Sequence, residues 1–278
     1  MTEIVMEHHR RSDRPGSHAT CPAHVSIAAE KRFFPSKTSE EAPESARVGK
    51  AFDQHTWEVL GALARTVDAS SPWTADHSKR VTGLAIAIGR AVGLSPEQLA
   101  TLYCAALLHD IGKVGVSTNI LDKPGELTSN EFESMEEHPA KGARILEPLS
   151  AYAPVVPIVL QHHERLDGSG YPYGLRGEAI CPGARILAVA DVYDALISER
   201  PYRASWNHQR AMAFIKERTD RIFDPRIVEV FLDIMIREDS TAEPDTEDST
   251  AEPDTSERVL DMAPPGGSFR LIHSRSAS

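Results

Sequence analysis

A histidine and an aspartate stand side by side at the end of an apolar helical segment. Residues 102–108 are apolar, and His109, Asp110 and Lys113 follow within five positions. Burying a carboxylate beside an imidazole is costly unless a partner compensates it, and a bound cation is the cheapest partner that satisfies both. Neighbours on a helix diverge by about 100°, so this pair can reach two points of one site, and an aspartate can bridge two ions. For the pair alone, a buried His–Asp hydrogen bond that caps the helix remains an alternative.

Other polar residues interrupt apolar helical segments elsewhere in the chain. His77 begins a helix, His162 and His163 end an apolar run, Asp191 interrupts another, and His138 follows two glutamates. Each of these residues alone is more often a satisfied core or surface residue. With His109 and Asp110 they make five imidazoles and two carboxylates, a set without thiolate that suits iron, manganese, nickel or zinc. A helical bundle with such residues inside is a known way to build a two-metal centre.

Lys113 lies about one helical turn beyond Asp110. If the helical path continues, the lysine lies on the same side as the aspartate, where its ammonium group could meet an anionic substrate.

The composition excludes several classes of protein. Nine acidic residues and no basic one lie within residues 238–257, so most of the net charge of −11 is there and the rest of the chain is nearly neutral. A nearly neutral domain offers no basic face to duplex nucleic acid. Three cysteines lie far apart without a CxxC pair, which favours a reducing compartment. The sequence has neither a signal-peptide core nor a run of about 18 apolar residues, so we expect a cytoplasmic protein that does not cross a membrane.

The two ends of the chain differ from its middle. Residues 1–50 are rich in His, Arg, Pro, Ser and Glu without periodicity, and are predicted to form a disordered leader. Residues 239–247 are repeated almost verbatim as residues 248–256, and the acidic segment 238–278 is predicted to be disordered and extended. The folded domain is therefore predicted over residues 51–237.

Helical periodicity dominates this middle region. Apolar stripes run through Trp57, Leu60, Leu63, Ala64 and Val67, and through Val81, Leu84, Ala85 and Ile88. Capping boxes at Ser95 and Thr128 predict two helix starts, Gly93 predicts a helix end, and Pro139 predicts an interruption. Further helices are predicted over about 155–164, 183–198, 207–219 and 225–237. Two-residue hairpin turns and β-branched alternation are absent, so the sequence predicts an all-α domain of six to eight helices.

These motifs, in this order, resemble a known family. His77, His109–Asp110 and Asp191 resemble the HD superfamily of metal-dependent phosphohydrolases. Residues 162–172 combine two histidines and a glutamate with a Gly-Tyr-Pro turn, and they resemble the HD-GYP subfamily, whose members hydrolyse the bacterial messenger cyclic di-GMP. Residues 120–125, 183–203 and 223–225 also match, so the resemblance covers roughly residues 55–235. It implies an HD-domain helical bundle with a GYP-containing loop and flexible tails.

The resemblance also implies a role for each matching residue. One metal ion would be held by His77, His109, Asp110 and Asp191. A second ion would be held by Asp110, His138, His162 and His163, with Asp110 bridging the two ions. Lys113 would act with Asp110 in catalysis by contacting the scissile phosphate. The nucleotide site would be lined by Lys113, Tyr171, Asp194, Arg200 and Arg203, although surface solvation is the alternative for the two arginines.

Two positions depart from the family pattern. Some members hold a third metal ion through a glutamate one turn before the first histidine, and this chain has Trp73 there. A tryptophan cannot bind a cation as a ligand, so we expect two ions. Ser117 replaces a proline that is usual after the HD motif, and we expect little consequence because it lies outside the ligand set.

The residues and the resemblance together predict a phosphodiesterase that cleaves cyclic di-GMP to pGpG, GMP or both. Two divalent ions, iron or manganese with nickel or zinc as alternatives, would make a bridging water acidic enough to attack phosphorus near neutral pH. The ions and Lys113 would offset charge on the phosphoryl oxygens.

Three other readings remain open. The same ligands could act on (p)ppGpp, a dNTP or another cyclic dinucleotide. The chain could instead be a sensing or docking module that binds the nucleotide, a GGDEF-type cyclase or another regulatory protein without turnover, although such a role would not need the whole ligand set. The third reading is an oxygen-activating di-iron protein.

Overall fold

The computed structural model describes residues 54–69, 71, 74, 76–199 and 203–241. Within these ranges the chain forms ten α-helices and no β-strand. The helices are α1 Gln54–Asp68, α2 His77–Ala91, α3 Pro96–Leu108, α4 Thr118–Leu121, α5 Ser129–Glu136, α6 His138–Leu146, α7 Val156–Gln161, α8 Pro182–Ile197, α9 His208–Glu217 and α10 Pro225–Thr241. The predicted all-α fold class is confirmed. The count exceeds eight because the helix predicted from Thr128 is divided at Glu137, and because α4 is too short to give a periodic signal.

Local capping signals define several helix ends. The Ser95 hydroxyl accepts a hydrogen bond from the Gln98 backbone N–H at 3.3 Å, and the Gln98 side chain accepts one from the Ser95 N–H at 2.8 Å. Thr128 begins α5 through the same reciprocal pair. Gly93 follows α2 with a φ of +84°, which is the left-handed conformation expected after a helix end. These predicted boundaries are confirmed.

Helices α2, α3 and α8 form the centre of the bundle. α2 packs against both α3 and α8, and the residues of α3 and α8 are buried on nearly every side. Helices that are apolar all round must be buried, so each polar side chain on them needs a partner inside the protein.

Leu63 of α1 is exposed, although its place in the apolar stripe predicted a core position. Leu60, Ala64 and Val67 of α1 are buried, whereas Leu63 is 44% exposed. At 100° per residue, Leu63 lies at the edge of the stripe that the other three residues form, so it turns towards solvent. The side chain of Trp57 lies outside the described part of the chain.

The predicted tails lie almost entirely outside the described residues. Residues 1–53 and 242–278 belong to this group, while α10 continues to Thr241, past the domain boundary predicted at residue 237. Among the described helices, none has the length and apolar character needed to span a bilayer.

Candidate metal centre

The seven predicted metal ligands come together where five helices meet. His77 and His138 are the first residues of α2 and α6. His109 and Asp110 directly follow α3, the paired histidines His162 and His163 follow α7, and Asp191 lies within α8. Six of the seven residues are buried, and the His163 side chain is 8% exposed. Helix ends therefore deliver six of the ligands to one point in the core.

A glycine allows two of these segments to approach each other. Gly112 lies in the 3₁₀ turn Ile111–Gly115, directly after the His–Asp pair, and this turn packs against α6. A Cβ atom at residue 112 would lie 2.0 Å from the carbonyl oxygen of His138. Only glycine permits this contact, which brings Asp110 beside His138.

His77, His109 and Asp191 form the first group of candidate ligands. The Nε2 atom of His77 lies 3.3 Å from Nε2 of His109 and 3.3 Å from Oδ1 of Asp191. Oδ2 of Asp110 lies 3.7 Å from the same His77 atom. One ligand atom from each of the three residues lies within 4.8 Å of the others, which is the spacing of donors around one cation.

His138, His162 and His163 form the second group. Nε2 of His138 lies 3.3 Å from Nε2 of His162 and 3.3 Å from Oδ1 of Asp110. Asp110 therefore stands between the groups, with Oδ2 towards the first and Oδ1 towards the second.

Three of the histidines are oriented in the same way by the backbone. The Nδ1 atoms of His109, His138 and His162 lie 2.7–2.8 Å from the carbonyl oxygen three residues earlier in each case. A carbonyl can only accept, so Nδ1 carries the hydrogen and Nε2 presents its lone pair to the cluster. Such a hydrogen bond typically orients a histidine that binds a metal.

The cluster contains more acceptors than donors. Oδ1 of Asp110 is buried and has no hydrogen-bond partner among the described residues, although His138 Nε2 is 3.3 Å away. Two facing lone pairs repel, and a buried polar atom without a partner costs about 1–3 kcal/mol. A divalent cation would satisfy both atoms at once, so these residues fit a metal ion.

The electrostatics favour ligands in their metal-binding protonation states. Burial lowers the pKa of His138 to about 4 and that of His162 to about 3, which keeps both imidazoles neutral. Burial alone would raise the pKa of Asp110, but Lys113 and the neighbouring histidines outweigh it and hold that pKa well below its usual value. Neutral imidazoles and an ionised carboxylate are the forms that coordinate metals.

His77 differs from the other histidines. Burial lowers its pKa, but hydrogen bonds with Asp191 and Asp194 outweigh burial and raise the pKa to about 9. A cation that binds at Nε2 must therefore displace a proton, as metal binding commonly does.

Lys113 lies at the edge of the cluster. Its ammonium nitrogen is 2.5 Å from Oδ2 of Asp110, and its side chain is 21% exposed. Lys113 therefore lies beside Asp110, as predicted. Its contact with a scissile phosphate stays a prediction.

Glu164 anchors the GYP-containing loop, and sequence reasoning did not include it among the site residues. Its buried carboxylate accepts hydrogen bonds from the backbone N–H groups of Tyr173 at 2.8 Å and Leu175 at 2.9 Å. A Cβ at Gly170 would lie 2.5 Å from the carbonyl oxygen of His163, so the loop lies directly against the paired histidines. The signal that pointed to Glu164 was an acid directly after two histidines at the end of an apolar helix.

This loop places Tyr171 beside the ligand cluster. The Tyr171 ring is buried, and its centroid lies 4.8 Å from the His163 ring at an interplanar angle of 36°. Phe132 of α5 contacts Tyr171 edge-on, at a centroid distance of 6.2 Å. Tyr171 therefore forms a wall of the centre, and its contact with a nucleotide stays a prediction.

Asp194 and Arg203 are engaged within the protein. Both carboxylate oxygens of Asp194 have partners, and one lies 2.7 Å from Nδ1 of His77. Asp194 thus lies behind His77, and its contact with a nucleotide stays a prediction. Arg203 donates to the carbonyl oxygens of Ala195 at 2.7 Å and Leu196 at 3.0 Å, which are C-terminal carbonyls of α8. These contacts give Arg203 a structural role that the sequence did not predict.

Two predicted positions lie outside the described residues, namely Arg200 and Trp73.

Sequence reasoning also missed Asp68, at the end of α1. Its carboxylate accepts hydrogen bonds from the backbone N–H of Ser78 at 3.1 Å and from the Ser78 hydroxyl at 2.8 Å. Asp68 therefore holds the start of α2, where His77 lies, and no motif in the sequence pointed to it.

Comparison with known proteins identifies the family to which this helical arrangement belongs. A family model described as the HD domain matches residues 61–227, a range that includes all seven candidate ligands. The chain belongs to the HD domain family. The family predicted from the His–Asp motif is therefore confirmed.

Curated relatives and solved structures are similar to this HD domain. The chain is 42% identical over 177 residues to the cyclic di-GMP phosphodiesterase response regulator RpfG of Xanthomonas campestris pv. campestris, covering 63% of this chain and 47% of the relative. It is 43% identical over 167 residues to the 3'3'-cGAMP-specific phosphodiesterase 3 of Vibrio cholerae, covering 60% of this chain and 36% of that protein. The structure of an HDG"Y"P protein from Bdellovibrio bacteriovorus aligns with a TM-score of 0.50 and 19% identity, covering 69% of this chain and 68% of the other, which shows a shared fold. The chain spans about half the length, or less, of these curated relatives.

Proposed function

We propose that this protein is a metal-dependent phosphodiesterase that hydrolyses a cyclic dinucleotide, and that cyclic di-GMP is its substrate. The observation that carries the proposal is the convergence of five histidines and two aspartates on one centre, with Lys113 at its edge. A purely structural core would gain nothing from facing lone pairs at 3.3 Å, whereas a metal centre requires them.

The relatives support the substrate class. The two curated proteins described above are named for cyclic di-GMP and for 3'3'-cGAMP, and both compounds are cyclic dinucleotides joined by phosphodiester bonds. Identity to the second protein is as high as to the first, so 3'3'-cGAMP is the second candidate substrate.

Two ions are proposed because the ligands divide into two groups that share Asp110. Donors that are only nitrogen and oxygen suit iron or manganese, with nickel or zinc as alternatives. When bound, such ions polarise the phosphoryl oxygens and acidify water near neutral pH.

The protein's own residues have separate tasks in this proposal. Asp110 stays ionised and joins the two ligand groups, since its pKa is held low by Lys113 and the histidines. The Lys113 ammonium, partly exposed at the edge of the cluster, would pair with a phosphoryl oxygen and offset its charge. Tyr171, fixed by the loop that Glu164 holds, would shape the pocket for the base.

Product analysis of the purified chain tests the proposal. Protein loaded with Mn²⁺ or Fe²⁺ is incubated separately with cyclic di-GMP, 3'3'-cGAMP and ppGpp, and chromatography follows the appearance of pGpG and GMP. We expect cyclic di-GMP to be consumed, and Asp110→Ala to lose metal and turnover together. If cyclic di-GMP stays intact while another nucleotide is hydrolysed, the substrate assignment is wrong.

A matched pair of lysine variants tests the role of Lys113. We expect Lys113→Ala to lower turnover without loss of metal, because its ammonium group compensates charge but is no ligand. Lys141→Ala is the control, since Lys141 contacts the Gly115 carbonyl oxygen and Glu137 rather than the cluster. Equal activity of the two variants would remove Lys113 from the catalytic role.

The alternative classes have their own signatures. A sensing or docking module would bind cyclic di-GMP in calorimetry and release no product, and a GGDEF-type cyclase is the protein partner proposed for it. An oxygen-activating di-iron protein would consume dioxygen when its iron is reduced. A cytoplasmic location remains part of the proposal and is testable by fractionation.

A further inference from the structure

Asp194 is held directly behind His77 by hydrogen bonds that come from outside the ligand cluster. Its Oδ2 atom lies 2.7 Å from Nδ1 of His77. Arg80 donates from Nε to Oδ1 at 2.6 Å and from Nη2 to Oδ2 at 3.0 Å, and the Ser198 hydroxyl donates to Oδ2 at 3.3 Å. Asp194 is 3% exposed. Its carboxylate is therefore fixed in position and shielded from solvent.

His77 differs from three other candidate ligands in having a side chain as the acceptor for Nδ1. His109, His138 and His162 each donate from Nδ1 to a carbonyl three residues earlier. The carbonyl three residues before His77 belongs to Thr74 and accepts the His77 backbone N–H at 3.0 Å, while Nδ1 of His77 faces Asp194. Asp194, contributed by α8, takes the place of the backbone carbonyl at this one position.

A carboxylate imposes a defined tautomer on the imidazole. Arg80 donates to both carboxylate oxygens of Asp194, so the group that faces His77 Nδ1 serves as an acceptor. With a cation at Nε2, the hydrogen of the His77 ring must then sit on Nδ1, while Nε2 faces Asp191 and His109 at 3.3 Å each.

We infer that Asp194 is a positioning residue of the metal centre, which fixes the tautomer and ring orientation of His77 so that Nε2 can bind a cation, and that Arg80 holds Asp194 in place. The inference rests on the metal centre that the proposed function requires. It gives Asp194 a role at the metal centre that the sequence did not predict.

An asparagine at position 194 conflicts with this arrangement in either orientation. Arg80 donates to both carboxylate oxygens, whereas an amide offers one acceptor and one donor. If the amide nitrogen takes the place of Oδ2, it donates to His77 Nδ1 and forces the ring hydrogen onto Nε2, which then cannot bind a cation. The same substitution beside a catalytic histidine is known to trap the wrong tautomer.

The test uses the full chain, freed of metal and titrated with Mn²⁺ alone, while electron paramagnetic resonance follows the free ion. We expect Asp194→Asn to bind one Mn²⁺ roughly 10–100-fold more weakly than the unmodified protein. Asp224→Asn is the matched control, because Asp224 also pairs with an arginine of α8, Arg185, at 3.0 Å but contacts no candidate ligand. The control should lower the Tm of the metal-free protein and leave Mn²⁺ affinity unchanged.

Two results of this titration would overturn the inference. One is unchanged Mn²⁺ affinity in Asp194→Asn, and the other is an equal loss of affinity in the control, which would mean that weakened packing alone explains the effect.

A second measurement needs no variant and covers the case in which Asp194→Asn does not fold. Nitrogen-15 resonances of the histidine rings in the Zn²⁺-loaded protein should show His77 with a protonated Nδ1 and a metal-bound Nε2. A hydrogen on Nε2 of His77 would contradict the inference. Both measurements omit nucleotide, so a protein that fails to hydrolyse cyclic di-GMP refutes the proposed function alone, whereas a protein that binds neither ion refutes both.

Discussion

Replacing Gly112 with alanine should pull the two halves of the ligand cluster apart. A Cβ at this position would lie 2.0 Å from the His138 carbonyl oxygen, 2.5 Å from the Gly142 nitrogen and 2.9 Å from the His138 carbonyl carbon. All three are backbone atoms of α6, which cannot rotate away as a side chain would. Since real Cβ contacts are not found below 3.0 Å, the turn and α6 must separate by about 1 Å.

That displacement is large compared with the tolerance of a metal site. Oδ1 of Asp110 and Nε2 of His138 are now 3.3 Å apart, across the contact that Gly112 permits. Ligand distances in metal sites hold to about 0.2 Å, so a shift of about 1 Å should weaken metal binding at least tenfold. Overpacking should also cost about 1–3 kcal/mol of stability, which for a domain of this size lowers the Tm by roughly 2–12 °C.

The assay pairs Mn²⁺ titration with thermal unfolding, and the same turn supplies the control. The three atoms nearest to a Cβ at Gly115 belong to the flexible Lys141 side chain, the first at 3.1 Å, so Gly115→Ala should behave like the unmodified protein. If Gly112→Ala matches Gly115→Ala in both Mn²⁺ affinity and Tm, the close approach does not position the ligands and the reasoning is wrong.

Three further predictions concern single groups. First, acid should destabilise the metal-free protein: folding lowers the pKa of His138 from 6.5 to about 4, so the unfolded chain binds more protons in that window, and stability falls as pH drops below 6.5. For this group the loss of unfolding free energy between pH 7 and pH 5 is about 2 kcal/mol. Urea titrations at the two pH values measure this loss, and an equally large loss in His138→Asn would contradict the prediction. Second, Glu164→Gln replaces one of the two carboxylate oxygens that accept backbone N–H groups with an amide nitrogen, which donates. The change should cost about 1–3 kcal/mol of stability and lower turnover while metal content is retained. A parallel loss of metal would contradict the prediction that only the loop is affected. Third, Thr128→Ala should lower stability by about 1 kcal/mol through the lost cap of α5, with no effect on Mn²⁺ affinity.

The parts of the fold that local chemistry controls were predicted well. The capping boxes at Ser95 and Thr128 and the end of α2 at Gly93 each depend on residues within four positions of one another. Such hydrogen bonds and backbone preferences involve residues that are close together in the sequence, so the sequence alone can predict them. The division of α5 from α6 at Glu137 lies two residues before the interruption predicted at Pro139, and only the short helix α4 exceeded what periodicity could indicate.

The sequence named the seven side chains that the structure brings together, but it did not name the residues that hold them in position. Asp194 lies against His77, 117 positions earlier in the chain, and Arg203 binds C-terminal carbonyls of α8; the sequence predicted neither contact, and the predicted nucleotide contacts of both residues stay predictions. Asp68 was missed because a buried acid that holds a helix start looks, in sequence, like any surface acid. Glu164 stood in the motif after α7, but the sequence did not show that its carboxylate holds the following loop.

The sequence by itself determined the helical class, the capped helix boundaries and the family, because periodicity, caps and the His–Asp and Gly-Tyr-Pro motifs are local patterns. It also named the side chains able to bind metal. Only the tertiary structure decided which partner each polar group takes, such as Asp194 behind His77 and the α6 backbone against Gly112. The physical reason is that a hydrogen bond acts over about 3 Å, and packing of distant helices alone determines which atoms come within that distance.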